Sequence, residues 1–215
     1  IADWVCVPLY FVSKLAKDSG VTVVQVGEGA DEQFCGYDSW MTYLKFYQHF
    51  WQHYTGTVPK LLRRAIGSLA SNWAPATRGA GAQGVEALLR AGRGQELFWS
   101  GANAFWNVHK ERVLYNLVPA SDLSDIADMG FDLFGLATWD SGNVAGGYLD
   151  AFDRECPGRD FLTRMIHSEF RLRLPELLLM RVDKVTMSTS VEGRVPFLDS
   201  ALVEYTMDIP MTEKI

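Results

Sequence analysis

Several absences narrow the function before any motif is considered. Three cysteines in 215 residues, Cys6, Cys35 and Cys156, form no Cys-x-x-Cys pair, which argues against a zinc clamp or a dithiol redox site. The first residues lack the basic and apolar regions of a signal peptide, and no apolar run approaches the ~18 residues of a membrane span. We therefore expect a cytoplasmic protein in a reducing compartment, with no membrane partner. Because the chain begins without Met, it also reads as a piece of a longer protein.

Charge gives no general attraction to polyanions. The chain has 20 basic and 26 acidic residues and a net charge of -6, so nucleic-acid binding would need a local basic patch. Residues 39–85 contain no acid but hold five basic residues: Lys45, Lys60, Arg63, Arg64 and Arg78. Either a nucleic-acid patch or a solvated face beside an anionic ligand fits this stretch. The second is favoured, because the aromatic residues precede the basic ones and do not alternate with them.

Hydrophobic patterning predicts a mostly helical chain with one clear strand. Helical spacing covers 8–17, and a β-branched run at 21–26 predicts a strand that ends in Gly27-Glu28-Gly29. A helix is expected to open at Ala30, and an aromatic stripe beginning at Trp40 predicts a further helix packed into the core. Other predicted segments are a loop at 72–84, helices at 101–117, 159–170 and 177–185 with Pro175 in the first turn of the last, and a short helix to 207 capped by Asp199.

The turn after the strand is the first place where chemistry is concentrated. A strand running through glycines into a helix directs backbone N–H groups at an anion, which is typical of a nucleotide site. Three acids, Glu28, Asp31 and Glu32, lie in or beside this turn, where carboxylates could hold Mg²⁺ or transfer protons. Matching of the helix dipole explains Asp31 and Glu32 but leaves Glu28 without a reason.

A second cluster of charges lies near the end of the chain. Arg181, Asp183 and Lys184 are followed by Glu192 and Arg194, and this density predicts a semi-buried ion network. Spacing alone favours a structural role for it, because buried ion pairs are not evidence of catalysis. The histidines His49 and His53 could share a helix face, but no third ligand lies nearby, so a metal site there is not expected.

Both clusters resemble the synthetase domain of glutamine-hydrolysing asparagine synthetases. The resemblance rests on residues 26–37, VGEGADEQFCGY, and residues 178–199, LLMRVDKVTMSTSVEGRVPFLD, which occur in the family's order. It implies an α/β fold with a Rossmann-like parallel sheet of the adenine nucleotide α-hydrolase type. Residues 1–215 would then form one central part of that domain, mostly α-helical in this portion.

The resemblance also implies a reaction. ATP and Mg²⁺ adenylate a substrate carboxylate, aspartate first among candidates, and ammonia derived from glutamine then displaces AMP. Val26, Gly27, Gly29 and Asp31 would contact the nucleotide and pyrophosphate, with Asp31 also on Mg²⁺, and Glu28 would act at the acyl centre. Candidates for the substrate cleft are Arg181, Asp183, Lys184, Glu192 and Arg194. The resemblance leaves a homodimer open.

The sequence departs from the family pattern in several places. Val26 stands where the family often has Ser, while Gln33 and Cys35 replace an apolar residue and a Gly. The chain lacks three features of the family: the pyrophosphate loop Ser-Gly-Gly-x-Asp-Ser, the glutaminase domain and a downstream Lys motif. Residues 145–150 resemble that loop only superficially. We therefore expect the isolated chain to be inactive. Two alternatives stay open: an amidotransferase acting on a surface-polysaccharide or β-lactam-type carboxylate, and a non-catalytic nucleotide-binding scaffold.

Overall fold

The described chain is mostly helical and carries one small parallel sheet. The computed structural model describes residues 3–72, 80–101 and 141–214. Two strands, β1 and β2, pair in parallel, so the expected α/β class with mainly helical content is confirmed. Contacts divide the chain into two compact units: unit 1 combines Ile1–Trp40 with Asp160–Ile215, and unit 2 is Met41–Arg159.

The elements follow in chain order. The first are α1 (Cys6–Asp18), β1 (Val23–Gln25), α2 (Ala30–Phe34), α3 (Asp38–Phe46), a π-helical turn (Tyr47–Trp51), α4 (Gln52–Thr57), α5 (Lys60–Ser71) and α6 (Ala80–Arg93). The later ones are α7 (Ser141–Glu155), α8 (Phe161–Arg171), a π-helical turn (Leu174–Leu179), α9 (Met180–Met187), β2 (Glu192–Arg194), a 3₁₀ turn (Pro196–Leu198), α10 (Ser200–Met207) and α11 (Met211–Lys214). Within the described ranges, no helix is long and apolar enough to cross a membrane.

The sheet brings the two sequence clusters together. Val23 pairs with Glu192, Val24 with Gly193 and Gln25 with Arg194, and the Val26 N–H donates to the Arg194 carbonyl at 2.9 Å. The strand β1 was predicted from its β-branched residues but is shorter than 21–26. The strand β2 was not predicted, because Glu-Gly-Arg has no strand propensity of its own. It forms where the backbone at Gly193 packs against α9, since a Cβ at Gly193 would lie 3.0 Å from Val182 Cγ1.

Helix α8 and the helical segment that follows it contribute buried residues to the core of unit 1. The predicted helix at 159–170 is confirmed, and Asp160 caps it through the Thr163 N–H at 2.9 Å. Pro175 lies in the first turn of the next helical segment, as expected, because that turn needs no N–H from it. The core residues of this region are Phe161, Leu162, Met165, Ile166, Leu174, Leu178, Val182 and Val191. The predicted cap of α10 is also confirmed, since Asp199 Oδ1 accepts from the Ala201 N–H at 3.1 Å.

Unit 2 is built on close packing of α5 against α6. A Cβ at Gly67 would lie 2.9 Å from the Leu88 carbonyl oxygen, and one at Gly92 would lie 2.8 Å from that of Arg63. The two helix backbones therefore approach more closely than side chains would allow. The expected loop at 72–84 is wrong for 80–84, which begin α6, while 73–79 lie outside the described residues.

The aromatic stripe is only partly buried. Trp40 is buried, and Tyr43 packs edge-to-face on Phe98 with 5.1 Å between ring centroids. Phe50 stacks on Tyr54 at 5.1 Å but keeps an exposed ring. A core role is therefore confirmed for the start of the stripe rather than for all of it. Of the remaining predictions, residues 102–117 lie outside the described ranges, and the glycines of 145–150 belong to α7 and not to a phosphate loop.

Candidate functional site

The turn between β1 and α2 carries the candidate catalytic glutamate. Gly29 has φ +94, a backbone conformation that L side chains rarely adopt, and a Cβ there would overlap the Leu198 side chain. Gly27 has open space around it. The glycine at 29 is therefore required by the fold, because the turn presses against the Pro196–Leu198 segment, whereas the glycine at 27 leaves backbone accessible.

Glu28 and Arg181, one from each motif, form an ion pair within unit 1. Arg181 Nη2 donates to Glu28 Oε1 at 3.0 Å, and Arg181 Nη1 donates to Asp3 Oδ2 at 2.7 Å. The side chain of Arg181 is 11% exposed, and those of Asp3 and Glu28 are 14% and 25% exposed. The Arg181 guanidinium thus pairs with two carboxylates at once. The three side chains are less exposed to solvent than those of a surface ion pair.

The ionisation of the group follows from its hydrogen bonds. The hydrogen bond from Arg181, with a second from the Val5 N–H, lowers the pKa of Asp3 below its usual value. Burial disfavours the charged form of Arg181, but the hydrogen bonds to Asp3 and Glu28 outweigh this and raise the pKa of the guanidinium. Arg181 is therefore a permanent cation, and Asp3 is an anion at neutral pH.

Sequence reasoning missed Asp3. The residue lies outside both motifs and 178 positions from Arg181, so no local pattern indicates the contact. The need of Arg181 for a second acceptor could have indicated such a contact. A buried guanidinium has several N–H donors, and one carboxylate does not satisfy all of them.

The other acids of the turn have different environments. Glu32 is buried and accepts a hydrogen bond from the Tyr37 hydroxyl at 2.6 Å, and burial together with this contact raises the pKa of Tyr37. The Arg173 guanidinium lies over the Tyr37 ring at 4.7 Å. Glu32 is thus held inside the fold, while Asp31 on the same short helix is exposed. The expectation that both acids only match a helix dipole is too simple for Glu32.

The remaining cleft candidates do not form the semi-buried network that the sequence predicted. Asp183 bonds to its neighbour Lys184 at 3.3 Å, and Glu192 bonds to Arg194 at 2.7 Å. All four side chains are more than half exposed, because α9 turns the first pair outward and the short strand β2 leaves the second pair at the surface. The Glu192 contact raises the pKa of Arg194. Of the predicted cluster, Arg181 alone joins Glu28.

Carboxylates beside the Glu28 turn are potential ligands of a metal ion. Among residues 3–72, 80–101 and 141–214, no group of three or more His, Cys, Asp or Glu could hold a metal ion. A Mg²⁺ ion carried on phosphate oxygens needs fewer protein ligands, since it keeps several waters and takes one or two carboxylates.

The comparison with known proteins decides the family. Residues 1–215 match the asparagine synthase family over the whole chain. The chain belongs to the asparagine synthase family. The resemblance stated from the two motifs is therefore confirmed, and Glu28 and Arg181 lie in the two segments of the asparagine synthase pattern that carried it.

Relatives of this asparagine synthase family member are longer proteins. A putative glutamine-hydrolysing asparagine synthetase of Mycobacterium tuberculosis is 30% identical over 217 residues, which cover 100% of this chain and 28% of the relative; the Mycobacterium bovis protein matches equally. The glutamine-hydrolysing asparagine synthetase 1 of Bacillus subtilis is 27% identical over 212 residues, covering 98% of this chain and 28% of its own length. The chain therefore spans little more than a quarter of these relatives. No solved structure matches it.

Proposed function

We propose that this chain is the part of an ATP-dependent amide-forming ligase that holds the acyl centre, within a parent fold of the adenine nucleotide α-hydrolase type. Aspartate is the first candidate for the carboxylate that is adenylated, and glutamine-derived ammonia is the nucleophile. The observation that supports this most directly is the Glu28–Arg181 contact, because two sequence segments that mark the family converge on one carboxylate.

The chemistry explains why a carboxylate is needed at that point. A free carboxylate is a poor electrophile, and adenylation by ATP gives it AMP as a leaving group while pyrophosphate departs. Ammonia then attacks the acyl carbon and must lose protons as the amide forms. Glu28 would accept a hydrogen bond from the attacking ammonia and take up one of these protons, which makes it a general base.

Arg181 would orient that base. The ion pair engages Oε1 of Glu28, and the second contact of Arg181, to Asp3, fixes the guanidinium from the other side. A carboxylate held in this way presents its second oxygen in a fixed direction, and orientation of a catalytic group contributes to rate. Asp3 is thus proposed as a positioning residue.

The nucleotide would lie along the backbone at the end of β1. Val26, Gly27 and Gly29 supply main-chain groups there, and the open space around Gly27 permits close approach of a phosphate. Asp31 is the exposed carboxylate beside the turn and fits as a ligand of phosphate-bound Mg²⁺. Magnesium would offset the charge that gathers on the departing pyrophosphate.

Two exposed ion pairs would border the cleft. Lys184 pairs with Asp183 and Arg194 pairs with Glu192, and the charged groups of both pairs lie at the surface. A phosphate or carboxylate of the substrate could replace the acidic partner in either pair. We assign these four residues to support of the cleft rather than to the chemical step. The cellular site proposed for the reaction is the cytoplasm.

The intact activity is assigned to the longer protein. Since the chain spans 28% of its curated relatives, other parts of the polypeptide would supply the remaining nucleotide contacts and the ammonia source. We expect this chain alone to show no ATP turnover. AMP formation by the chain alone that depends on a carboxylate would contradict that expectation.

The test uses the full-length protein and the substitution Glu28→Gln. The wild type should exchange pyrophosphate into ATP when aspartate is present and should form asparagine. Glu28→Gln keeps an oxygen for Arg181 but cannot take a proton, so amide formation should fall by about 100-fold or more while exchange persists. Both are measured with radiolabelled pyrophosphate and by amino-acid chromatography.

Control and alternative outcomes separate the candidates. Glu176→Gln changes an exposed glutamate outside the site and should leave both rates unchanged. Exchange with another carboxylate but not with aspartate would change the acceptor and keep the mechanism. A wild type that shows no exchange with any carboxylate would refute the enzyme proposal and favour the scaffold.

A further inference from the structure

A buried glutamine lies directly behind the Glu28 turn. Gln33, on α2, has no solvent exposure, and neither does Thr206 on α10. The Gln33 amide nitrogen donates to the Gly29 carbonyl at 3.0 Å and also to the Phe197 carbonyl, while Gln33 Oε1 accepts from the Thr206 hydroxyl at 2.7 Å. One side chain therefore connects the turn, the 3₁₀ segment and α10.

The chemistry of the partners fixes the orientation of this amide. Both backbone carbonyls are acceptors, so the amide nitrogen has to face them, and Oε1 is left to the hydroxyl. Every polar group of the Gln33 side chain is then satisfied in a site without water access. A polar group buried in this way is costly to leave unpaired, so the three bonds hold the surrounding backbone in one arrangement.

Packing around the amide adds to the constraint. Leu198 occupies the space where a Cβ of Gly29 would be, and the Phe34 and Phe197 rings contact edge-to-face at 6.4 Å between centroids. The Gly29 carbonyl, which accepts from the Gln33 amide, belongs to the residue directly after Glu28. The turn is thus anchored on its α2 side by Gln33, while the Glu28 side chain is anchored by Arg181.

We infer that Gln33, with Thr206, is a positioning residue that fixes the Glu28 turn against the Pro196–Leu198 segment. This inference rests on the proposed function for its effect on catalysis. An apolar residue at position 33 could fill the space but could not form hydrogen bonds with two carbonyls and a hydroxyl.

The experiment compares four variants of the full-length protein. Gln33→Met removes all three bonds at nearly the same volume, and Thr206→Val removes the hydroxyl. Thr206→Ser keeps the hydroxyl and is the conservative variant. Gln48→Met, the same substitution at an exposed position, is the matched control.

Two measurements are made on each variant. The first is the ratio of amide formation to ATP–pyrophosphate exchange, which does not depend on the fraction of protein that is folded. The second is hydrogen–deuterium exchange of the backbone over residues 27–34, with α8 as an internal reference.

Positioning predicts a specific pattern. Gln33→Met should lower the ratio by about tenfold or more and speed exchange over 27–34 by about tenfold, with α8 unchanged. Thr206→Val should show the same effects more weakly, and Thr206→Ser and Gln48→Met should resemble the wild type. Equal losses of both activities, with unchanged deuterium exchange over 27–34, would overturn the inference.

Failure of the proposed function gives a different result. If the wild type neither exchanges pyrophosphate nor forms an amide, the enzyme proposal fails, and deuterium exchange alone decides the role of Gln33. Faster exchange over 27–34 in Gln33→Met would then support anchoring of the turn, and unchanged exchange would overturn it.

Discussion

Asp3 gives the Arg181 cation a second partner, and its charge state couples folding to pH. In the folded protein the hydrogen bond from Arg181 keeps the pKa of Asp3 below its usual value. In the unfolded chain the pKa of Asp3 is that of an ordinary aspartate, about 3.9. A lowered pKa in the folded state means that the unfolded state binds protons more readily. The stabilisation from Asp3 is therefore complete above about pH 5 and is lost as the pH falls through the folded-state pKa.

Replacing Asp3 by Asn should flatten that dependence. Asn can still accept a hydrogen bond from Arg181 but carries no charge to titrate, so the free energy of unfolding should fall less steeply between about pH 5 and about pH 3 than in the wild type. Urea unfolding at a series of pH values measures it. Asp18→Asn, at an exposed pair with Lys14, should keep the wild-type slope. Parallel curves for Asp3→Asn and the wild type would disprove the coupling.

Individual residues could be proposed for the candidate site only where a local motif marks them. Glu28 and Arg181 were both proposed from their segments, but the hydrogen bond between them was not expected, because 153 positions separate them. Asp3 gives no signal in the sequence at all. Gln33 was noticed as a departure from the family, yet its three hydrogen bonds depend on where Phe197 and Thr206 pack in the folded chain.

The strand–turn–helix segment depends on one of its two glycines far more than on the other. Gly29→Ala would place a methyl group on a backbone with positive φ and against Leu198, so we expect a loss of about 2–4 kcal/mol in the free energy of unfolding. Gly27→Ala meets open space, and its cost should stay within about 1 kcal/mol. Urea midpoints measure both. Equal midpoints for the two variants would contradict this account of the turn.

Regular elements were predicted to different degrees, for physical reasons. Helices with an apolar face and a cap, such as α8 and α10, agree with their sequence signals because cap and periodicity are local. Strand β2 was missed, since it exists only by pairing with β1 and packing on α9. The start of α6 was also missed, because alanine and glycine at 80–84 suit a loop as well as a helix packed closely on another.

Because the chain divides into two compact units, we expect a destabilising substitution in one unit to speed hydrogen exchange in that unit and not in the other. Gly92→Ala would push a methyl group into the Arg63 carbonyl on α5, which should cost about 1–3 kcal/mol despite the better helix propensity of alanine. Hydrogen exchange should accelerate in α5 and α6 but not in α8. Gly84→Ala, on the same helix with open space around it, should slow exchange or leave it unchanged. Faster exchange throughout α8 in Gly92→Ala would show that the units unfold together.

The parallel pairing of β1 with β2 has a consequence for synthesis on the ribosome. Unit 2 is one continuous stretch, whereas unit 1 combines residues 1–40 with residues 160–215, which are synthesised later. Because Glu28 and Arg181 are 153 positions apart, translation at about 5–20 residues per second leaves Glu28 without this cation for about 8–30 s. During that interval β1 lacks its β2 partner, and an unpaired strand edge can pair with other chains. Formation of the Glu28–Arg181 ion pair is therefore a late event, and a chain terminated before Arg181 would lack it.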